Sequence, residues 1–279
     1  MVAIKGYEIL KVLSNNVVLV REGDAKSILV GKGIGFAKKK GQVISNKDVI
    51  EDKFISLDAL NDRDEAQFFA QVDPRVIEIT EDIIIMASEE LGESLNPNIH
   101  IGLIDHINYA IKRLNEGIEI VNPFLNETKF LYPKEYDIAE KAVTYISSTI
   151  DINIPVAEIG FIALHIHGGR SNSSKSKAMT FTKLISNLTK FVEDKLKISF
   201  DDYSFMYSRF VIHLQGVFDR VLNEQTLENI FLDKIMIELP YEVSLSKTIG
   251  MIIEKELGKP VPDSEIGYIA LHISKLNFK

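Results

Sequence analysis

Residues Glu158–Ile166 read EIGFIALHI, and Glu265–Ile273 read EIGYIALHI, so that only Phe161 and Tyr268 distinguish the two stretches. The second stretch lies 107 residues after the first, and the same offset relates four further identical pairs: His106 and His213, Arg113 and Arg220, Pro133 and Pro240, and Glu135 and Glu242. One constant offset without gaps indicates a duplicated module of about a hundred residues, which is a typical domain size. Each copy carries two histidines that are 59 residues apart, His106 with His165 and His213 with His272.

The repeated modules have the apolar periodicity of amphipathic helices. In the first copy one stripe follows helical spacing and Gly117 is expected to end the helix; the stripe comprises Leu103, Ile104, Ile107, Ala110, Ile111 and Leu114. The matching stripe of the second copy comprises Phe210, Leu214, Val217, Phe218 and Val221. We therefore expect two homologous all-α helical-bundle domains, at residues 67–170 and 178–279, joined by a flexible connector with the sequence GGRSNSSKSK at 168–177.

The N-terminal residues 1–57 are expected to form a separate, small antiparallel β domain. Two β-branched runs, Val17–Val20 and Ile28–Val30, flank a hairpin signal at Glu22–Ala25, and Lys53–Leu57 is typical of a closing strand. The glycines at 31, 33 and 35 do not open a helix, which argues against a dinucleotide fingerprint. A four-stranded sheet of this size has little core of its own, so we expect it to dimerise.

Composition and charge narrow the functional classes. The chain has no cysteine, so disulfide scaffolds and cysteine-bearing metal sites are excluded, and it shows neither a signal peptide nor a spanning segment. We therefore expect a soluble cytoplasmic protein without membrane insertion. Residues 1–57 hold ten Lys and Arg against six acids, whereas the whole chain has a net charge of −8. A basic head on an acidic body favours a polyanion-binding head, although a solvated lysine surface would give the same counts.

Helix geometry separates the histidines. His100 points into the apolar stripe and is expected in the core, whereas His106 and Arg113 share the flank of that stripe. The recurrence of this flank in the second copy favours a functional role. His165 and His272 end apolar runs, where a buried structural role and a functional role are equally compatible with the sequence. His100 and His167 are not repeated and rank lowest.

Several chemistries fit paired histidines poorly. Zinc requires three or four protein ligands, and no repeated carboxylate lies close to either pair in the sequence. Asp105-His106 resembles the dyad of helical metal-dependent phosphohydrolases, but the second copy has Ile212 instead of the acid. No GxSxG elbow is present, and the head lacks a helix-turn-helix pattern, which disfavours a DNA-binding activator. Phosphorylation of an imidazole needs the fewest additional groups, so we expect a phosphoacceptor with no catalytic residue, metal or cofactor, and the phosphohydrolase remains the alternative.

Taken in order, the motifs resemble a known family. The motifs are KVLSNNVVLV, ILVGKGIGFAKKKG, IDHINYAIKR, EIGFIALHI, RFVIHLQ and EIGYIALHI. This series resembles the BglG/SacY-type transcriptional antiterminators, which join an RNA-binding domain to two phosphotransferase-system (PTS) regulation domains. NPFLNET at 122–128 and the HIHGG ending are most similar to the members that control a glucose operon.

The resemblance implies a symmetric homodimer whose head binds an RNA hairpin that overlaps a terminator, so that transcription continues. The implied RNA contacts are Asn15, Asn16, Gly31, Lys32, Gly33 and Phe36, with Lys11 and Lys38 as phosphate partners. The implied phosphoacceptors are His106 and His165 in the first regulation domain and His213 and His272 in the second. The implied donors are the EIIB domain of a sugar transporter for the first domain and the phosphocarrier HPr for the second.

Overall fold

The β domain is a five-stranded antiparallel sheet. The computed structural model describes residues 6–13, 17–23, 25–31, 33–44, 50, 52–55, 72–96, 98–170, 174–200 and 205–276. The strands of the β domain are β1 (Tyr7–Val12), β2 (Val17–Glu22), β3 (Ala25–Val30), β4 (Val43–Ile44) and β5 (Asp52–Ile55). They lie in the order β4-β1-β2-β3-β5. The sequence predicted four strands, and the two-residue β4 is an addition at the edge, where Tyr7 pairs with Ile44.

The hairpin between β2 and β3 follows the sequence prediction. Val17 pairs with Val30 and Glu22 pairs with Ala25, so the turn falls at the glycine-containing signal. Gly23 has a φ of 64°, which an L-residue with a side chain rarely adopts. One face of the sheet buries the apolar side chains Ile9, Val18, Val20, Leu29, Ile34 and Ile44.

The remainder of the described chain is helical. Its helices are α1 (Pro74–Leu91), α2 (Asn98–Asn115), α3 (Leu125–Leu131), α4 (Pro133–Ile150), α5 (Ala157–Gly169), α6 (Lys175–Leu196), α7 (Phe205–Leu222), α8 (Leu232–Glu238), α9 (Pro240–Leu257) and α10 (Asp263–Leu276). The prediction of a β domain followed by helical modules is therefore confirmed. Among the described residues no helix is both long enough and apolar enough to cross a bilayer.

The chain divides into two compact units. The first comprises residues 1–122 and 134–175, and the second comprises 123–133 and 176–279. Helix α3 thus belongs to the second unit, although its residues precede α4 in the first repeat. There Glu127 Oε1 accepts a hydrogen bond from the Tyr207 hydroxyl at 3.0 Å, and the Phe130 ring meets Tyr207 edge-on at 5.7 Å.

The repeated EIG stretches form helices buried on nearly every side. In α5 the side chains of Ile162, Ala163, Leu164 and Ile166 are buried, and α10 buries Ile266, Ile269, Ala270 and Ile273. A helix that is apolar all round has no solvent face and is stable only inside a bundle. An asparagine contacts the backbone just before each EIG sequence: Asn122 Nδ2 donates to the Ala157 carbonyl at 3.1 Å, and Asn229 Nδ2 donates to the Ser264 carbonyl at 3.3 Å.

Two boundaries test the sequence predictions directly. Helix α2 ends at Asn115 and Gly117 follows with a φ of 70°, so the predicted helix end is confirmed. The predicted connector at 168–177 is too long at both ends, because α5 continues to Gly169 and α6 already begins at Lys175. Alternating charged and small residues in KSK carry no apolar period, so the first turn of α6 was not recognisable from the sequence.

Candidate functional site

The two histidines of the first module lie side by side. His106 on α2 and His165 on α5 have ring centroids 4.8 Å apart, although 59 residues separate them in the chain. His106 is 15% exposed and His165 is 6% exposed. Helix α2 presents His106 from the flank of its buried stripe, as its position beside Ile107 predicted, and α5 presents His165 from its C-terminal half.

A buried carboxylate organises this pair. Glu158, the first residue of the EIG stretch, is 1% exposed and accepts a hydrogen bond from His106 Nε2 at 2.7 Å. Its other oxygen accepts from Arg113 Nη2 at 3.2 Å. Because a carboxylate can only accept, Nε2 of the His106 ring carries the hydrogen of this bond. Glu158 therefore fixes the orientation of His106.

The second module repeats the carboxylate but distributes its bonds differently. Arg220 binds Glu265 with both ends of its guanidinium, Nε to Oε1 at 2.6 Å and Nη2 to Oε2 at 2.9 Å. His213 is left to stack on His272, with centroids 4.0 Å apart and planes inclined by 26°. Within the part of the chain that the structure describes, the buried Nδ1 of His213 has no hydrogen-bond partner.

The sequence reasoning overlooked these carboxylates. The prediction that no repeated carboxylate lies close to either histidine pair is wrong: Glu158 and Glu265 each lie seven residues before the second histidine of their module. In space Glu158 contacts His106, and Glu265 contacts Arg220, whose charge acts on His213. The offset of 107 residues relates these two acids as well, so their recurrence was the signal that could have identified them.

Burial keeps three of the four histidines neutral. It lowers the pKa of His165 to about 2, with smaller effects from His106 and Lys175. Burial, followed by His272 and Arg220, lowers the pKa of His213 to about 3. Burial, followed by Lys275 and Arg209, lowers the pKa of His272 to about 4. A neutral imidazole keeps one nitrogen lone pair, which is the group that attacks phosphorus in phosphoryl transfer.

The other two histidines have structural partners. His100 is buried, as its position in the apolar stripe predicted, and its Nδ1 lies 2.8 Å from the carboxylate of Glu81. His167 Nδ1 lies 2.9 Å from Glu135, which also accepts from Arg170 at 2.7 Å. Burial alone would raise the pKa of Glu135, but the bonds to His167 and Arg170 outweigh it and lower the pKa to about 2.

Part of the expected RNA surface can be placed on the β domain. Asn15, Asn16 and Lys32 lie outside the described residues. Residues 33–37 form successive turns in which Phe36 N donates to the Gly33 carbonyl at 3.0 Å, and the Phe36 side chain is 69% exposed.

The remaining expected contacts divide between buried and exposed positions. Gly31 is buried and Lys38 is exposed beside the turns. Lys11 lies on β1, where partial burial lowers its pKa. The structure thus brings an exposed aromatic ring and an exposed lysine together on one loop.

These features define a class of regulatory protein. A small β domain precedes two helical modules, each of which places two histidines against a buried acid–arginine pair. Residues 7–62 match the CAT RNA binding domain family, and residues 81–169 and 186–276 match the PRD domain family. The chain belongs to the family of transcription antiterminators that join a CAT RNA binding domain to two PRD domains.

Relatives match along nearly the entire chain. Over 271 residues it is 33% identical to Protein GlcT of Staphylococcus saprophyticus, with 96% of each chain covered. Over 277 residues it is 31% identical to the transcription antiterminator LicT of Bacillus subtilis, with 96% of this chain and 98% of that protein covered. A crystal structure of GlcT CAT-PRDI aligns with a TM-score of 0.50 at 40% identity, covering 60% of this chain and 99% of that one.

The family resemblance read from the motifs is therefore confirmed, and the metal-dependent phosphohydrolase is not supported. Among the described residues, no group of three or more His, Cys, Asp or Glu side chains is arranged to hold a metal ion. Beside Asp105 and His106, the repeated acid Glu158 holds a histidine and an arginine instead.

Proposed function

We propose that this protein is an RNA-binding antiterminator of a sugar PTS operon, glucose being the proposed sugar, and that histidine phosphorylation controls it. Its proposed parts are an RNA-binding domain at 1–57 and regulation domains at 67–170 and 178–279. The proposed phosphoacceptors are His106, His165, His213 and His272. The observation that carries the proposal is the repeated constellation of two adjacent histidines against a buried acid–arginine pair. The protein acts as a phosphoacceptor and catalyses no reaction itself.

The electrostatics of the first module supply a switch. A phosphoryl group brings about −1.5 to −2 charge at neutral pH. On His106 that charge would stand beside the carboxylate of Glu158, which is 1% exposed. The repulsion would favour release of Arg113 from Glu158, 3.2 Å away, towards the new phosphoryl oxygens. Such an exchange of partners alters the packing of α2 against α5 at both of its polar contacts.

The output of the switch is proposed to be the pairing of two β domains. One domain alone grips the hairpin weakly, whereas two held in a homodimer bind with the benefit of effective concentration. Phosphorylation of the first regulation domain by the EIIB domain of the transporter shifts the population away from that dimer when sugar is absent. Phosphorylation of the second domain by HPr is the proposed second input.

For the RNA surface, the proposed contacts are Asn15, Asn16, Gly31, Lys32, Gly33 and Phe36, with Lys11 and Lys38 towards phosphates. The exposed Phe36 ring supports this assignment because an aromatic face can stack on an unpaired base. The exposed Lys38 beside it supports a phosphate contact.

Alanine at His106 and His165 tests the regulatory part. Without sugar, the double variant should read through the terminator, whereas the wild-type chain should stop. His167→Asn is the control, because His167 lies on the same helix as His165 but outside the repeat. Read-through that stays off in the double variant would show that the inhibitory route is wrong. Binding of the full chain to the hairpin should weaken as salt rises, and a flat response would remove the phosphate contacts.

A further inference from the structure

Lys175 makes direct contact with His165 in the first module. Its Nζ lies 2.5 Å from His165 Nε2. An ammonium group can only donate, so Nε2 accepts with its lone pair and the ring proton lies on Nδ1. Nε2 of His165 thus accepts, whereas Nε2 of His106 donates to Glu158. Burial lowers the pKa of Lys175, and Asp105 opposes that effect.

The approach of Lys175 depends on a glycine. A Cβ added to Gly168 would lie 2.5 Å from the backbone nitrogen of Lys175 and 2.6 Å from the Cβ of Lys175, and real Cβ atoms do not come this close to other atoms. Any side chain at 168 would therefore push the start of α6 away from His165. The carbonyl of the neighbouring Gly169 accepts a hydrogen bond from Asn96 N at 2.5 Å, and this bond fixes the C-terminal end of α5. Lys175 is an exposed residue whose ammonium group is nevertheless held against His165 by the local fold.

A cavity of about 420 Å³ opens beside the contact. Its lining includes Gly102, Asp105, His165, Gly168 and Lys175. A Cβ on Gly102 would lie 3.6 Å from His165 Nδ1 and 3.7 Å from Cε1, which are ordinary contacts, so a side chain at this position would lie beside that edge of the ring and not at Nε2. The cavity gives His165 room for a tetrahedral group despite its low exposure.

The second module supplies a cation to His272 from another position. The counterpart of Gly102 is Arg209, whose charge contributes to the lowered pKa of His272. His165 and His272 therefore each have a nearby cation, which is Lys175 at the start of α6 in the first module and Arg209 on α7 in the second.

We propose that Lys175 is the cationic partner of a phosphoryl group carried on Nε2 of His165. This inference rests on the proposed function and adds the identity of the residue that binds the phosphoryl group. The lone pair of Nε2 forms the bond to phosphorus, and the bond between phosphorus and the leaving atom of the donor breaks, its electron pair leaving with the donor. The ammonium of Lys175 moves its hydrogen bond from Nε2 to a phosphoryl oxygen, and the proton on Nδ1 stays. Lys175 thus contacts the transferred phosphoryl group directly and stabilises its negative charge.

The test labels the full chain with potassium phosphoramidate, a small donor that needs no partner protein. Labelling of His165 and of His106 is followed separately by tandem mass spectrometry under conditions that preserve phosphohistidine, and ³¹P NMR identifies the modified nitrogen. Lys175→Ala should slow the labelling of His165 by about tenfold or more and leave His106 unchanged. Lys175→Arg should retain the rate, and Lys177→Ala, two residues along the same helix, is the matched control.

Two further variants separate charge from structure. Gly168→Ala should slow His165 labelling although Lys175 is still present, because it displaces the lysine backbone. Gly102→Arg in the Lys175→Ala chain copies the arrangement of the second module and should restore labelling. The proposal would be overturned if Lys175→Ala labelled His165 at the wild-type rate. It would also be overturned if the phosphoryl group were found on Nδ1, or if His165 in the wild-type chain took up no label. These results are independent of terminator read-through, so failure of the proposed function remains a separate outcome.

Discussion

Lowering the pH from 7.5 to 5 should destabilise the first helical module, because His165 is buried there in its neutral form. An unfolded histidine takes up a proton near pH 6.5, whereas burial lowers the pKa of His165 in the folded chain to about 2. In this interval the unfolded state binds more protons than the folded state, so stability falls as the pH falls. The loss begins near pH 6.5 and grows until the pH approaches the folded pKa.

The magnitude follows from the interval between the two pKa values. Each pH unit below 6.5 removes about 1.4 kcal/mol, because the folded site stays unprotonated throughout. At pH 5 the contribution of His165 to the loss is therefore about 2 kcal/mol, which corresponds to about a 30-fold change in the opening equilibrium. His165 is only 6% exposed, so solvent screening reduces this figure little.

Hydrogen exchange of α5 measures this change locally. Peptides from Ala157–Gly169 should lose about 30-fold protection between pH 7.5 and pH 5, after correction for the intrinsic exchange rate at each pH. His165→Asn is the control, because the titration of carboxylates contributes equally in both chains. In this variant the loss of stability between the two pH values should be smaller by about 2 kcal/mol. Equal losses in the two chains would show that His165 is already protonated in the folded state, and the reasoning from burial would fail.

Three other substitutions give distinct outcomes. Glu158→Gln keeps the shape but removes the buried charge, and should lower the free energy of unfolding by about 2–3 kcal/mol in urea titrations; an unchanged value would show that the carboxylate contacts contribute nothing net. Phe36→Ala should weaken hairpin binding by about 1–3 kcal/mol in fluorescence titrations, whereas Val43→Ala, also exposed on the β domain, should not; equal effects would refute base stacking. Gly169→Ala should reduce the thermal midpoint, because its Cβ would lie 2.8 Å from Ile99 Cδ1, and an unaltered midpoint would show that the helices separate freely.

The sequence predicted the parts of the fold that have a period. The apolar stripe placed His100 in the core and His106 on its flank, and both positions are as predicted. The duplication related the two histidine pairs, and each pair is adjacent in space. Periodicity works for α2 and α7 because one face of each helix is polar and the other is buried.

The polar groups that complete the sites were beyond such reasoning for physical reasons. Glu158 lies in the first turn of α5, a helix that is buried on nearly all sides. No polar face of that helix therefore indicates the direction in which the Glu158 side chain points. It also reaches His106 across 52 residues of chain, a distance that spacing alone does not constrain. Lys175 stands in a run rich in serine and lysine that is typical of a solvated connector, and nothing in that run marks its contact with His165.

Helix α3 also bears on how the protein is made. Its partner Tyr207 is 77 residues further along the chain than Phe130, and at a ribosomal rate of about 5–20 residues per second α3 would wait roughly 4–15 s for that partner. In the second repeat the position equivalent to Phe130 is Ile237, which is 78% exposed. A nascent chain stalled within this interval would show the Phe130 ring to chaperones, and release would follow only once α7 had been synthesised.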